Sequence, residues 1–223
     1  MTFLCVIPAR KNSKRIKNKN LLKINGRTLI SIAIKEAQKS KYIDSQNIFV
    51  STDSERIKKE SELCGAKVPF LRPMYLGKDK AKMHDVLNHF VEKIKKITTF
   101  KYVIVLQPTS PLRTFKHIDE ACKFFLKNKK KANKLVSVTH LPQDFYPSKI
   151  MESKKSILSQ LKGHDNYHAK KTNLFARNGP AVFIYSKRKL KNNIYQGKSL
   201  KYLMSEKSSL DLNFYSDVKK IYD

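Results

Sequence analysis

Short, wholly apolar runs alternate along this chain with stretches in which apolar residues recur every three or four positions, a pattern that predicts strands and helices in turn. The first run, Thr2 to Ile7, is continuous and stops at Pro8, as expected of a strand buried on both faces. After the Asn25-Gly26 turn, Leu29, Ile30, Ala33, Ile34 and Ala37 fall at helical spacing, and Asn47 to Ser51 returns to strand. Further along we expect a helix over Ser54 to Cys64, a short strand over Lys67 to Phe70, and a longer helix over Met83 to Ile97. Tyr102 to Leu106 then reads as strand, Phe115 to Leu126 as helix, and Leu135 to Val138 and Ala181 to Tyr185 as strands. The order implies an α/β fold: a mainly parallel mixed sheet flanked by helices on both faces. Ligands on such sheets bind beyond the carboxyl ends of the strands.

At 223 residues with 40% apolar content, the chain can close one sizeable core, so residues 1–223 are expected to form a single domain. No apolar run is long enough to cross a bilayer and the first eight residues lack a leader pattern, so a cytoplasmic protein without membrane contact is expected. Cys5, Cys64 and Cys122 are odd in number and widely spaced, which favours neither a disulfide framework nor a zinc site. The net charge of +29 would attract nucleic acid or phosphorylated ligands. Only eight of the cations are Arg, however, and the Lys are scattered among abundant Asn and Ile, which fits a bias toward A/T-rich codons. A nucleic-acid reader concentrates its cations on one element and favours Arg, so no nucleic-acid partner is expected.

One cluster of charge stands out. Pro8-Ala-Arg-Lys-Asn-Ser-Lys-Arg15, leading to Lys17, Lys19 and Asn20, follows the first strand directly. Several cations, a hydroxyl and free backbone N–H groups in one short loop suit a polyphosphate. The chain contains neither GxxxxGK[ST] nor GxGxxG, which disfavours a P-loop NTPase and a dinucleotide-binding enzyme.

The loop resembles the N-terminal signature of the CMP-sialic acid synthetases, cytidylyltransferases that activate acylneuraminate and related nonulosonic acids. Further matching segments stand in order: Val50-Ser-Thr-Asp53, Gly65 to Pro73 with Leu76 and Asp79, Leu106 to Arg113, Arg177-Asn-Gly179, and Leu210 to Asn213 with Asp217. The resemblance implies a Rossmann-like nucleotidyltransferase fold and transfer of CMP from CTP to the anomeric hydroxyl of a sialic-acid-like sugar acid, releasing pyrophosphate. It further implies that Arg10, Ser13, Lys14 and Lys19 hold the triphosphate, and that Asn20 and Arg72 face the cytosine. Gln107, Lys170, Lys171 and Asn178 are the candidates for the sugar acid, and Arg10, Lys19 and Asp211 for catalysis.

A nucleotidyl transfer calls for Mg²⁺, which prefers carboxylates plus water. Asp211 is the expected ligand. Members of the resembled family commonly carry Asp-x-Asp here, whereas this chain has Asp211-Leu-Asn213, with Asp217 the nearest further carboxylate or merely a helix cap. The Arg-Gln element often found before Asn-Gly is absent, and His168, Lys170 and Lys171 occupy its neighbourhood. The resemblance also implies a homodimer, with a lid or dimerisation excursion at about 143–177. Alternatives are a Kdo-activating cytidylyltransferase, a homologue that binds CTP without efficient transfer, and a basic nucleic-acid-binding protein. Kdo enzymes usually have Pro-x-Lys-Pro-Leu where this chain has Asn18 to Leu22, so sialic-like acids are favoured.

Overall fold

Strand β1 (Phe3–Pro8) lies inside the sheet because both of its faces are apolar. Phe3, Cys5 and Ile7 pack into one core layer, while Leu4 and Val6 pack into the other. Each fully buried side chain of this size contributes roughly 1.5–3 kcal/mol, so a polar residue on either face would be costly. The computed structural model describes residues 2–154, 157–160, 174–179, 181–187 and 194–222.

A two-strand ribbon, β2 (Lys23–Ile24) and β3 (Arg27–Thr28), leads into helix α1 (Leu29–Gln38), where the Thr28 hydroxyl caps the first turn by accepting from the Ser31 N–H. β4 (Ile48–Ser51) pairs parallel to β1, and α2 (Glu55–Leu63) begins at Ser54, whose hydroxyl accepts from the Ile57 N–H. Then come α3 (Met83–Ile94), β5 (Tyr102–Val105) parallel to β1, α4 (Phe115–Asn128) and β6 (Lys134–His140). Ile30 and Ile34 of α1, Ile57 of α2 and Ile118 and Phe125 of α4 cover one face of the sheet, and Leu87, Phe90 and Ile94 of α3 cover the other.

Past β6, β7 (Met151–Lys154) and β8 (Ile157–Gln160) pair with each other, while β9 (Phe175–Arg177) meets the end of β6. β10 (Phe183–Ser186) lies antiparallel between β5 and β6, and β11 (Leu200–Leu203) is parallel to β6 at the sheet edge. The described sheet runs β11-β6-β10-β5-β1-β4, with β9 beside β6. Because β10 opposes both β5 and β6, those two run with β1, and within this sheet the described strands other than β9 and β10 point the same way. The short α5 (Ser216–Lys219) follows.

The alternation predicted from sequence therefore yields the mainly parallel, helix-covered sheet. Lys67 to Phe70 departs from expectation, contributing only an isolated bridge from Lys67 to Phe49. Pro69 has no N–H to continue a ladder. Likewise α3 stops at Ile94, leaving Ile97 on the surface. Within the expected excursion at about 143–177, the β7–β8 ribbon and β9 were not anticipated, and neither was β11. Among the described residues, no helix is long and apolar enough to cross a membrane, and all three cysteines are free.

Candidate active site

The basic loop leaves β1 at the carboxyl end of the sheet and is fastened along its length. The Ala9 N–H still bonds to the Ser51 carbonyl at 2.9 Å, and the Lys11 N–H donates to Asp53 Oδ1 at 2.8 Å. Ile16 is fully buried, which pins the middle of an otherwise polar segment, and the Arg15 guanidinium lies over the Phe214 ring at 4.7 Å. Asn18 adopts a left-handed conformation with φ 54° and turns the chain into a single 3-10 turn, Lys19–Leu21. The Asn20 side-chain amide then donates to the Arg10 carbonyl at 2.9 Å, and Lys19 Nζ donates to the Leu212 carbonyl at 2.7 Å. A cationic loop held this way keeps its donors in place before a ligand arrives.

Asp53 is central to that tethering. At the exit of β4 it accepts from Lys11 and also pairs with Arg72 Nη2 at 3.2 Å, while Ser54 alone caps α2. Arg72 is itself buried, its backbone N–H bonded to the Thr52 carbonyl. Burial lowers the Arg72 guanidinium pKa below its ordinary range, an effect that Asp53 opposes. Gly77 packs so closely against Asp53 that a Cβ there would collide with the carboxylate, which accounts for glycine at that position.

These elements enclose a cavity of about 520 Å³, whose lining includes Arg10, Ser13, Lys14, Lys19, Asn20, Arg72, Gln107, Asp211 and Asn213. Nine residues singled out from sequence thus meet in one place. Arg10 and Lys14 both reach the exposed Asp79, at 2.7 and 3.1 Å. The contact with Lys14, joined by Arg10, holds the Asp79 carboxyl below its usual range against an opposing effect of desolvation. An incoming polyphosphate would have to replace that carboxylate.

Across the cavity, Asn213 Nδ2 donates to Asp211 Oδ2 at 3.0 Å, whereas Asp211 Oδ1 is buried with no hydrogen-bond partner among the described residues. A carboxylate and a neighbouring amide that both line the cavity fit a hard divalent cation that completes its shell with water and phosphate oxygens. Asp217 is used elsewhere: its Oδ2 accepts from the N–H groups of Asn213 and Phe214, both at 2.8 Å. It shapes the turn before α5.

Asn178 requires a correction. It was a candidate for the sugar acid, but it is buried, its Oδ1 accepting from Ser137 Oγ at 2.6 Å and its Nδ2 donating to Ser209 Oγ at 2.9 Å. An amide with both ends committed inside the protein joins β6 to the 205–209 turn and has nothing left for a ligand. Its neighbours Arg177 and Gly179 instead line a second cavity, of about 670 Å³, with Lys82, Met83, His84, Gln107, Ile194 and Tyr195. Lys170 and Lys171, like His168, lie outside the described residues. Sequence reasoning gave Arg177 and Tyr195 no role; the one available signal was Arg177's place beside the Asn-Gly pair.

A family model described as cytidylyltransferase matches residues 4–222. The chain belongs to that family. This cytidylyltransferase-family chain is 33% identical over 216 residues to an N-acylneuraminate cytidylyltransferase of Escherichia coli O18:K1:H7, covering 95% of this chain and 49% of the relative. A CMP-N,N'-diacetyllegionaminic acid synthase of Legionella pneumophila is 38% identical over 124 residues, 54% of this chain and 53% of that one. The chain thus spans about half the length of the Escherichia coli relative, while the match to the Legionella synthase takes in about half of each chain. Among solved structures, a CMP:2-keto-3-deoxy-manno-octonic acid synthetase complexed with CTP superposes with a TM-score of 0.72 at 16% identity, covering 99% of this chain and 97% of that one. At that identity the likeness concerns the fold.

Proposed function

We propose that this cytidylyltransferase moves CMP from CTP to the anomeric hydroxyl of a sialic-acid-like nonulosonic acid and releases pyrophosphate. The observation that carries this reading is the meeting of Arg10, Ser13, Lys14 and Lys19 with Asp211 in one cavity, in a chain of this family. The sugar class follows from the names of the sequence relatives, which activate N-acylneuraminate and legionaminic acid. The Kdo alternative has weaker support, since the octonic acid synthetase resembles this chain at only 16% identity.

In the reaction, the anomeric oxygen forms a bond to the α-phosphorus, the bond from that phosphorus to the bridging oxygen breaks, and pyrophosphate leaves with its electron pair. Arg10, Lys14 and Lys19 carry the charge of the β- and γ-phosphates and stabilise the leaving group as it departs. Asn20 and Arg72 offer the cytosine edge an amide and a guanidinium, donors that suit the O2 and N3 acceptors. Asp211 and Asn213 would hold Mg²⁺, which supplies charge neutralisation on the phosphate oxygens when bound. Asp211, which lines the cavity, is also the group that would accept the hydroxyl proton. CTP as substrate makes the cytoplasm the compartment for this chemistry.

Purified protein should release pyrophosphate from CTP only when Mg²⁺ and one of N-acetylneuraminic, legionaminic, pseudaminic acid or Kdo are present. Absence of release with every acid in that panel would reject the reaction.

A further inference from the structure

The second cavity lies beside the first, and Met83 and Gln107 line both. Its described lining includes two cations, Lys82 and Arg177, and no carboxylate. Arg177 ends β9 with its guanidinium 3.9 Å from the centre of the Tyr195 ring, and the Tyr195 hydroxyl donates to the Gly179 carbonyl at 3.3 Å. Burial raises the Tyr195 phenol above its usual range, with Arg177 opposing and Asp211 adding to the rise. The ring covers one face of the guanidinium, which also hydrogen-bonds the Tyr195 hydroxyl, and the N–H groups beyond that contact suit a carboxylate.

Arg177 also differs from Arg10 and Arg72. Arg10 pairs with Asp79 and Arg72 with Asp53, whereas Arg177 pairs with no carboxylate among the described residues. It stands close to the reacting end of the pocket as well. Two residues on, a Cβ at Gly179 would lie 3.7 Å from the Asp211 carboxyl carbon, so this segment runs directly beside the candidate catalytic carboxylate. In a nonulosonic acid the carboxylate is bonded to the anomeric carbon itself. A residue that fixes the carboxylate therefore fixes the nucleophilic hydroxyl within two bonds.

We propose that Arg177, stacked on Tyr195 and assisted by Lys82, receives the sugar acid's carboxylate and restricts the enzyme to 2-keto sugar acids over neutral sugars. The assignment rests on the CMP-transfer reading above. The test compares wild-type protein, Arg177→Gln and Arg177→Lys on whichever acid of the panel is turned over, and on that acid's C1 carboxamide. Arg177→Gln should raise the KM for the acid about 10- to 100-fold, the loss expected for a charge-assisted pair. The KM for CTP should be unchanged, Arg177→Lys intermediate, and the wild-type preference for acid over carboxamide should collapse by a similar factor. An acid KM within twofold of wild type with the preference retained would overturn the assignment while leaving the reaction standing. An equal rise in both KM values would also overturn it, as the mark of a structural role. No turnover by the wild type on any acid would reject the reaction itself, and this proposal with it.

Discussion

Lys19→Ala is expected to lower kcat/KM for CTP by about 10²- to 10³-fold, the range found when one preorganised charge stabiliser is removed. Lys19 does two things at once. Its ammonium lines the cavity beside Arg10 and Lys14, and by donating to the Leu212 carbonyl it ties the 3-10 turn of the basic loop to the segment that carries Asp211. Burial lowers its pKa below the ordinary lysine range, Asp211 opposes that, and Arg10 and Arg15 add to it. CTP binding should therefore weaken on the alkaline side at a lower pH than an unperturbed lysine would dictate, because the charge that binds phosphate is present only below that pKa. Lys19→Arg should move this limb upward. The thermal midpoint of Lys19→Ala should fall by no more than about 4 °C, the equivalent of one hydrogen bond in a chain of this size. A kcat/KM within threefold of wild type would remove Lys19 from the triphosphate site.

Arg113→Ala is expected to act on stability first. Arg113 is 1% exposed, and its Nη1 donates to the carbonyls of Gln107 at 3.0 Å and Ala181 at 3.2 Å, bracing the exit of β5 against the chain entering β10. Burial drives its pKa down to about 10, partly offset by Cys5 and Glu36, so it remains a cation at neutral pH. Nε and Nη2 have no hydrogen-bond partner among the described residues. Truncation opens a void and orphans two carbonyls, which together cost about 3–5 kcal/mol, or a fall of roughly 6–20 °C in the midpoint of thermal unfolding. Arg113→Met should be milder, because it keeps much of the volume and removes a buried charge whose desolvation is expensive. Both variants should raise the KM for CTP and for the sugar acid together, since Gln107 lines both cavities. An Arg113→Ala midpoint within 2 °C of wild type would show that the brace is dispensable.

Which parts of this architecture could be read from sequence follows a physical pattern. The basic loop was legible because its donors are contiguous and follow an unmistakable buried strand, so chain order and spatial order coincide. Arg72 and Asp211 were reached only through the resemblance, because they arrive at the cavity from distant segments. Asn178 was misread since a polar residue beside a glycine looks the same whether its amide meets a ligand or Ser137 and Ser209. Arg113 stood at the end of a segment that carries the resemblance but had no role there: nothing local in Pro111-Leu-Arg113 says that a guanidinium will be sealed beneath two carbonyls. β11 escaped notice because an edge strand covers one side only, and Lys201 and Leu203 face solvent where a central strand would be apolar.

The central claim is that the loop after β1 grips the triphosphate of CTP. A crystal structure of the protein with CTP tests it most directly. The account predicts phosphate density against Arg10, Lys14 and Lys19, with Asp79 displaced from Arg10 and Lys14 and the cytosine near Asn20 and Arg72. Nucleotide density elsewhere, with the Arg10–Asp79 pair intact, would contradict it.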